Sequence, residues 1–147
     1  MPRIDFYLLD DPTPNSVALY ACRLTEKAFM LGHRIYIQAA SAEQAQALDD
    51  LLWTFKQGAF LPHARHPVPA GKQAPILVGH DAEPEDGFQV LINLSPTIPA
   101  FYSRFERVAE LVGPGESVRQ QARQRFSAYR DSGCEITTHK LSGSGTP

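Results

Sequence analysis

Apolar and polar positions along this chain alternate between two rhythms. Ile4, Phe6, Tyr7, Leu8 and Leu9 form a short apolar run that stops at Asp10-Asp11-Pro12, which predicts a buried strand with a blunt end. Val17, Tyr20, Ala21, Leu24, Ala28 and Leu31 then recur at the three/four spacing of an amphipathic helix. Asn15 or Ser16 is the expected N-cap of that helix and Gly32 its stop. Arg34–Ala39 predicts a second strand. Ser41 with Gln44 makes a capping-box pattern, and Ala45, Leu48 and Leu52 carry a second helix that ends near Phe55.

The middle of the chain loses both rhythms. From Gln57 to Gly71 the sequence is rich in Pro, Gly and His and reads as a long ordered loop. Two further strands are expected at Pro75–Gly79 and Gln89–Leu94, with the acidic turn DAEPEDG between them. Pro99–Phe105 reads as a short helix, Arg107–Val112 as a fifth strand, and Ser117–Tyr129 as the last clear helix, ending by Gly133. A final strand is expected at Glu135–Lys140, and the tail SGSGTP is expected to be mobile.

Strand, helix, strand, helix at this spacing predicts right-handed crossovers. The expected fold is α/β: a three-layer sandwich with a central, mostly parallel sheet of about five strands flanked by helices. The layout is Rossmann-like but without a nucleotide site. A single domain is expected over residues 1–141, with a flexible tail at 142–147. Composition agrees with a globular domain: 43% hydrophobic and 20% charged residues in 147. Lys+Arg is 14 against Asp+Glu 16, so any positive surface is local and a general nucleic-acid-coating role is disfavoured. The N-terminus lacks a signal-peptide pattern and no apolar run approaches the ~20 residues of a bilayer span. With only Cys22 and Cys134, and no CxxC pair, a cytoplasmic protein without membrane contact is expected.

Candidate chemistry is sparse. The first strand-to-helix turn, DDPTPNS, has no glycine to let backbone N–H groups approach a phosphate, and its aspartates would repel one. Gly71-Lys72 lacks the other residues of a phosphate loop. His63, His66 and His80 have no nearby Cys or Glu to complete a metal set and read as surface histidines. Cys22 lies within a helix, unlike an activated nucleophile, and Ser142 and Ser144 belong to the tail. No cofactor, metal or catalytic constellation is expected.

Two features remain. In the last helix Arg119, Arg123 and Arg130 fall within a sector of ~40°, with Phe126 ~20° beside it. Val118, Ala122 and Tyr129 occupy the adjoining, sheet-facing side. That strip is either a solvated face with Arg stems covering the core or a binding strip for an acidic, partly apolar partner, since guanidinium forks take carboxylates bidentately. Trp53, with Phe60 in the following loop, is either a helix end packed under its own loop or an exposed aromatic anchor.

These segments together resemble the chi subunit of bacterial DNA polymerase III, a clamp-loader accessory protein. The resemblance runs from FYLLD (Phe6–Asp10) to the ITTHKL region. ALDDLLW (Ala47–Trp53), AFLPH (Ala59–His63) and ARQRFSAYR (Ala122–Arg130) carry it. It implies a non-catalytic DNA-replication protein without a nucleotide, joined on one side to the psi subunit. On the other side it would hold the acidic C-terminal tail of single-stranded-DNA-binding protein. It further implies that Arg119, Arg123, Phe126 and Arg130 face that tail, and that Trp53 and Phe60 face psi or a helicase competing for the same surface. Ser127 stands where the family can have Lys, so one contact is either missing or supplied by Arg130. Direct DNA binding is not expected. The alternative from a different class is a small nucleotide-dependent enzyme on the same sheet.

Overall fold

The computed structural model describes residues 1–68 and 73–141. Seven strands form one sheet: β1 (Arg3–Leu9), β2 (Ile35–Gln38), β3 (His63–Arg65), β4 (Ile76–Gly79), β5 (Val90–Asn93), β6 (Arg107–Val112) and β7 (Glu135–Leu141). Three α-helices accompany them: α1 (Ser16–Met30), α2 (Ala42–Thr54) and α3 (Glu116–Asp131). The spatial order is β3-β4-β2-β5-β6-β1-β7, and every pairing is parallel. The expected α/β, parallel layout is present, with seven strands where about five were expected. The extra edge strand β3 lies inside the segment expected to be loop. Its three residues, His-Ala-Arg, have no apolar rhythm, and only pairing with β4 makes them a strand.

Strand alternation sorts the core into two layers. Leu9, Ile35, Ile37, Ile76, Val78, Val90, Ile92, Ala109 and Leu111 face one side, where Tyr20, Ala21 and Ala28 of α1 and Ala45, Leu48 and Leu52 of α2 cover them. Ile4, Phe6, Tyr36, Leu77, Leu91, Val108 and Val112 face the other, under Ala122 and Tyr129 of α3 and Phe88 and Phe105. The expected short helix before β6 is a single 3-10 turn, Tyr102–Arg104.

Helix ends follow local chemistry. At α2, Ser41 Oγ accepts the Gln44 N–H at 3.1 Å and Gln44 Oε1 accepts the Ala40 N–H at 2.6 Å, a capping box shifted by one residue. At α1 the expected side-chain cap is absent. Asn15 sits at the cap position with φ 67 and makes no capping bond, while Ser16 Oγ donates to the Asp11 carbonyl. Gly32 stops α1 as expected: its N–H bonds Phe29 O, and His33 N–H bonds Ala28 O, the paired bonds of a left-handed glycine terminus. Gly79 serves closeness of approach instead, because a Cβ there would stand 2.0 Å from the Tyr36 hydroxyl. That hydroxyl crosses β4 to donate to Ala82 O at 2.8 Å.

Gly71-Lys72, Ser142, Ser144 and the tail 142–147 lie outside the described residues. Among the described residues no helix is long and apolar enough to cross a membrane.

Candidate functional site

The composition of α3 suits a helix: Ala, Gln and Arg have high propensity, and Glu116 in the first turn complements the helix dipole. Its end repeats the α1 device, with Gly133 N–H bonding Arg130 O and Cys134 N–H bonding Tyr129 O. The face turned to the sheet is Ala122, Arg125 and Tyr129. Val118, expected on that face, is 38% exposed, because it lies in the first turn, beyond the reach of the sheet.

Arg125 is the unexpected member. Its side chain is 7% exposed and its Nε donates to Glu110 Oε1 at 3.0 Å. Tyr129 Oη donates to Glu110 Oε2 at 2.6 Å, and Asn93 Nδ2 donates to the same oxygen at 2.9 Å. A further Arg125 N–H reaches the Pro96 carbonyl at 2.9 Å. Burial pushes the Glu110 carboxyl above its ordinary range, and the Arg125 guanidinium is the largest force pulling it back. Burial and Glu110 push the Tyr129 phenol upward. The three bonded positions fix the rotation of α3 against β5 and β6. Sequence reasoning missed this cluster; its signals are Glu110, an acid among the apolar residues of RVAELV, and Arg125, which at 100° per residue falls on the Tyr129 side of α3.

With α3 held at that angle, its next face overlooks β1 and β7. Arg119, Ala122, Arg123 and Phe126 enclose a cavity of about 240 Å³ with Phe6 and Leu8 of β1 and Thr138 of β7. Phe126 packs on Phe6 with ring centroids 5.5 Å apart. The parallel register sets Phe6 level with Thr138, so residues from opposite ends of the chain share the floor. Arg119 Nε donates to Gly113 O at 3.1 Å and its Nη2 to Leu9 O at 2.9 Å, which leaves three of a guanidinium's five N–H donors. Arg123 is 63% exposed and its Nη2 lies 2.8 Å from Glu116 Oε1. The cavity is small against the ~300–1,000 Å³ of ordinary small-molecule pockets. An apolar floor beside two guanidiniums suits one apolar side chain that carries a nearby carboxylate.

Arg130 does not line this cavity; its guanidinium is 3.4 Å from Asp131 at the exposed helix end. Trp53 and Phe60 lie elsewhere, 57% and 84% exposed. Leu61 is buried in the α1–α2 core, which pins the loop and leaves Phe60 outside. The imidazole of His63, expected at the surface, is buried beneath Trp53 with ring centroids 4.3 Å apart. Its Nδ1 is 2.6 Å from Leu61 O in the loop and its Nε2 3.1 Å from Asp49 O of α2.

The turn at the start of α1 borders a cavity of about 350 Å³ lined by Asp11, Thr13, Ser16 and Pro114 among others. Asp11 Oδ1 accepts the Thr13 N–H at 2.9 Å, and hydrogen bonds from Thr13 hold the Asp11 carboxyl below its usual range. A carboxylate therefore takes up the Thr13 N–H at this turn. Among the described residues no group of three or more His, Cys, Asp or Glu side chains is placed to hold a metal ion.

A family model described as DNA polymerase III chi subunit, HolC, matches residues 1–137. The chain belongs to the DNA polymerase III chi-subunit family. It is 38% identical over 141 residues to the DNA polymerase III subunit chi of Pseudomonas aeruginosa, covering 96% of this chain and 98% of that one. The Escherichia coli K12 subunit chi is 28% identical, over 94% of this chain and 97% of its own. Among solved structures, T4 UvsW superposes with a TM-score of 0.70 at 9% identity, over 95% of this chain and 41% of that one. A Saccharomyces cerevisiae Dbp5 structure gives 0.55 at 14% identity, over 97% and 42%. This chi-family chain shares with those two proteins the fold alone, and it spans about two-fifths of their length.

Proposed function

We propose that this DNA polymerase III chi subunit is a non-catalytic tether of the cytoplasmic replication machinery. It bridges the clamp loader, through the psi subunit, to the acidic C-terminal tail of single-stranded-DNA-binding protein. The observation that carries this reading is the convergence of Arg119, Arg123 and Phe126 with Phe6 and Leu8 around one small cavity. A terminal Phe ring fits the apolar floor, its carboxylate meets Arg123, and Arg119 and the outlying Arg130 attract the preceding acidic side chains. Capture of a C-terminal carboxylate is a recurrent recognition mode. A short peptide loses ordering entropy when it binds, so affinity near micromolar, about -8 kcal/mol, is expected. Several tails on one partner then raise the avidity without making the link permanent.

The exposed pair Trp53 and Phe60 supplies the second contact, for psi or for a helicase competing with it. Aromatic anchors of this kind dominate apolar interfaces. The alternative of a nucleotide-dependent enzyme is disfavoured by the Asp11 carboxylate and glycine-free turn at the start of α1.

A fluorescence-anisotropy titration with the acidic tail peptide tests the tether. Wild type should bind near micromolar and weaken with salt, because screening acts on the exposed guanidinium. Arg123→Ala should bind roughly tenfold or more weakly, the worth of a charged hydrogen bond. Folded wild type that fails to bind the peptide rules the tail reading out.

A further inference from the structure

Arg123 is not free in the unliganded protein. Glu116, two helical turns earlier, places Oε1 2.8 Å from Arg123 Nη2, and both side chains lie at the surface, 83% and 63% exposed. Glu116 also sits in the first turn of α3, where the helix dipole favours a carboxylate. The cavity's other guanidinium, Arg119, spends two donors on the carbonyls of Leu9 and Gly113. An anion arriving at this cavity therefore meets one arginine anchored to the backbone and one already paired with a carboxylate.

We propose that Glu116 is a specificity-determining residue that acts as an internal competitor for the ligand carboxylate at Arg123. This rests on the tail reading above and deepens it. Binding becomes an exchange in which the guanidinium gives up one carboxylate and takes another, so the Arg123 contact contributes less than an unpaired arginine would. A ligand with a single carboxylate gains little from the exchange. An acidic segment with further negative charges gains from Arg119 and the surrounding field, and the Glu116 carboxylate, once released, returns to water. Glu116 thus raises the threshold that any carboxylate ligand must exceed through its other contacts, and keeps the complex readily reversible.

The test is a double-mutant cycle read by anisotropy with a fluorescein-labelled acidic peptide ending in Phe with a free carboxylate. Glu116→Gln should tighten binding roughly two- to fivefold, the range of an exposed ion pair, and the gain should shrink at high salt. In the Arg123→Ala background the same substitution should change affinity little, since the contact it relieves is gone. Glu116→Asp keeps the charge at the helix start while its shorter stem loosens the contact, and should tighten binding by a smaller factor. Thermal melts confirm that each variant is folded. Peptide binding by wild type with no gain in Glu116→Gln overturns the competition and leaves the tail reading intact. An equal gain with and without Arg123 also overturns it, because that is the signature of general charge repulsion. Absence of peptide binding by wild type removes both.

Discussion

Arg119, Arg123 and Arg125 lie within two turns of one helix, and their surroundings give each a different task. Arg119 ties the ends of β1 and β6 through two carbonyls, Arg123 lies at the surface against Glu116, and Arg125 is buried on Glu110. The same rule separates the two cysteines. Cys22 is fully buried and Cys134 partly so, and burial pushes the Cys22 thiol up to about 12. Only the thiolate reacts with disulfide reagents. At pH 8 the native protein should therefore titrate one thiol with a chromogenic disulfide and both after denaturation. Rapid reaction of two thiols in the folded protein contradicts the burial of Cys22.

At the scale of elements, α3 owes its orientation to a polar lock. Ala122 and the rings of Phe126 and Tyr129 are the apolar contacts of a helix whose middle exposes Gln120, Gln121, Arg123 and Gln124. The Glu110–Arg125–Tyr129 bonds add direction, since hydrogen bonds have angular preferences that apolar packing lacks. Glu110→Ala should cost about 3–5 kcal/mol in a urea melt, because it strands a buried guanidinium. Replacing Glu110 and Arg125 together by Leu and Met should cost much less. If the single and double replacements are equally destabilising, the cost belongs to packing and not to the stranded charge. The helix should also lose its rotational setting in the double variant, which would weaken peptide binding even where stability is recovered.

For the molecule as a whole, the two candidate surfaces lie at opposite edges of the sheet. The cavity lies under α3 beside the edge strand β7, while Trp53 and Phe60 flank the other edge strand, β3, at the end of α2. At ~4.8 Å per strand this separates them by roughly 25 Å, on opposite faces of the sheet. Two ligands can therefore contact this chain at once without sharing a residue, as the proposed tether requires. Sites this far apart should respond independently. Trp53→Ala should weaken capture of psi, measured by calorimetry, by roughly tenfold or more, the cost of losing an aromatic anchor. Its affinity for the tail peptide should stay within about twofold of wild type. Equal loss at both sites would mark a folding defect. With a net charge of -2, the proposed attraction for an acidic peptide has to be a local property of α3.

The sequence by itself determined the three α-helices, six of the seven strands and their parallel association, because hydrophobic rhythm is local and each α/β crossover leaves few alternatives. It also determined that Arg119, Arg123 and Phe126 share one side of a helix, since that follows from 100° per residue. Which neighbours complete that side was a tertiary matter. Phe6 and Thr138 meet it only because β1 and β7 pair in register. Arg125 leaves the solvent because Glu110 and Asn93 wait beneath the helix side that it shares, at 100° per residue, with Ala122 and Tyr129. β3 exists only by pairing with β4, and His63 turns inward to the carbonyls of Leu61 and Asp49. Periodicity reports which face a residue occupies; the partner across that face is set by contacts between distant segments, which a local pattern does not contain.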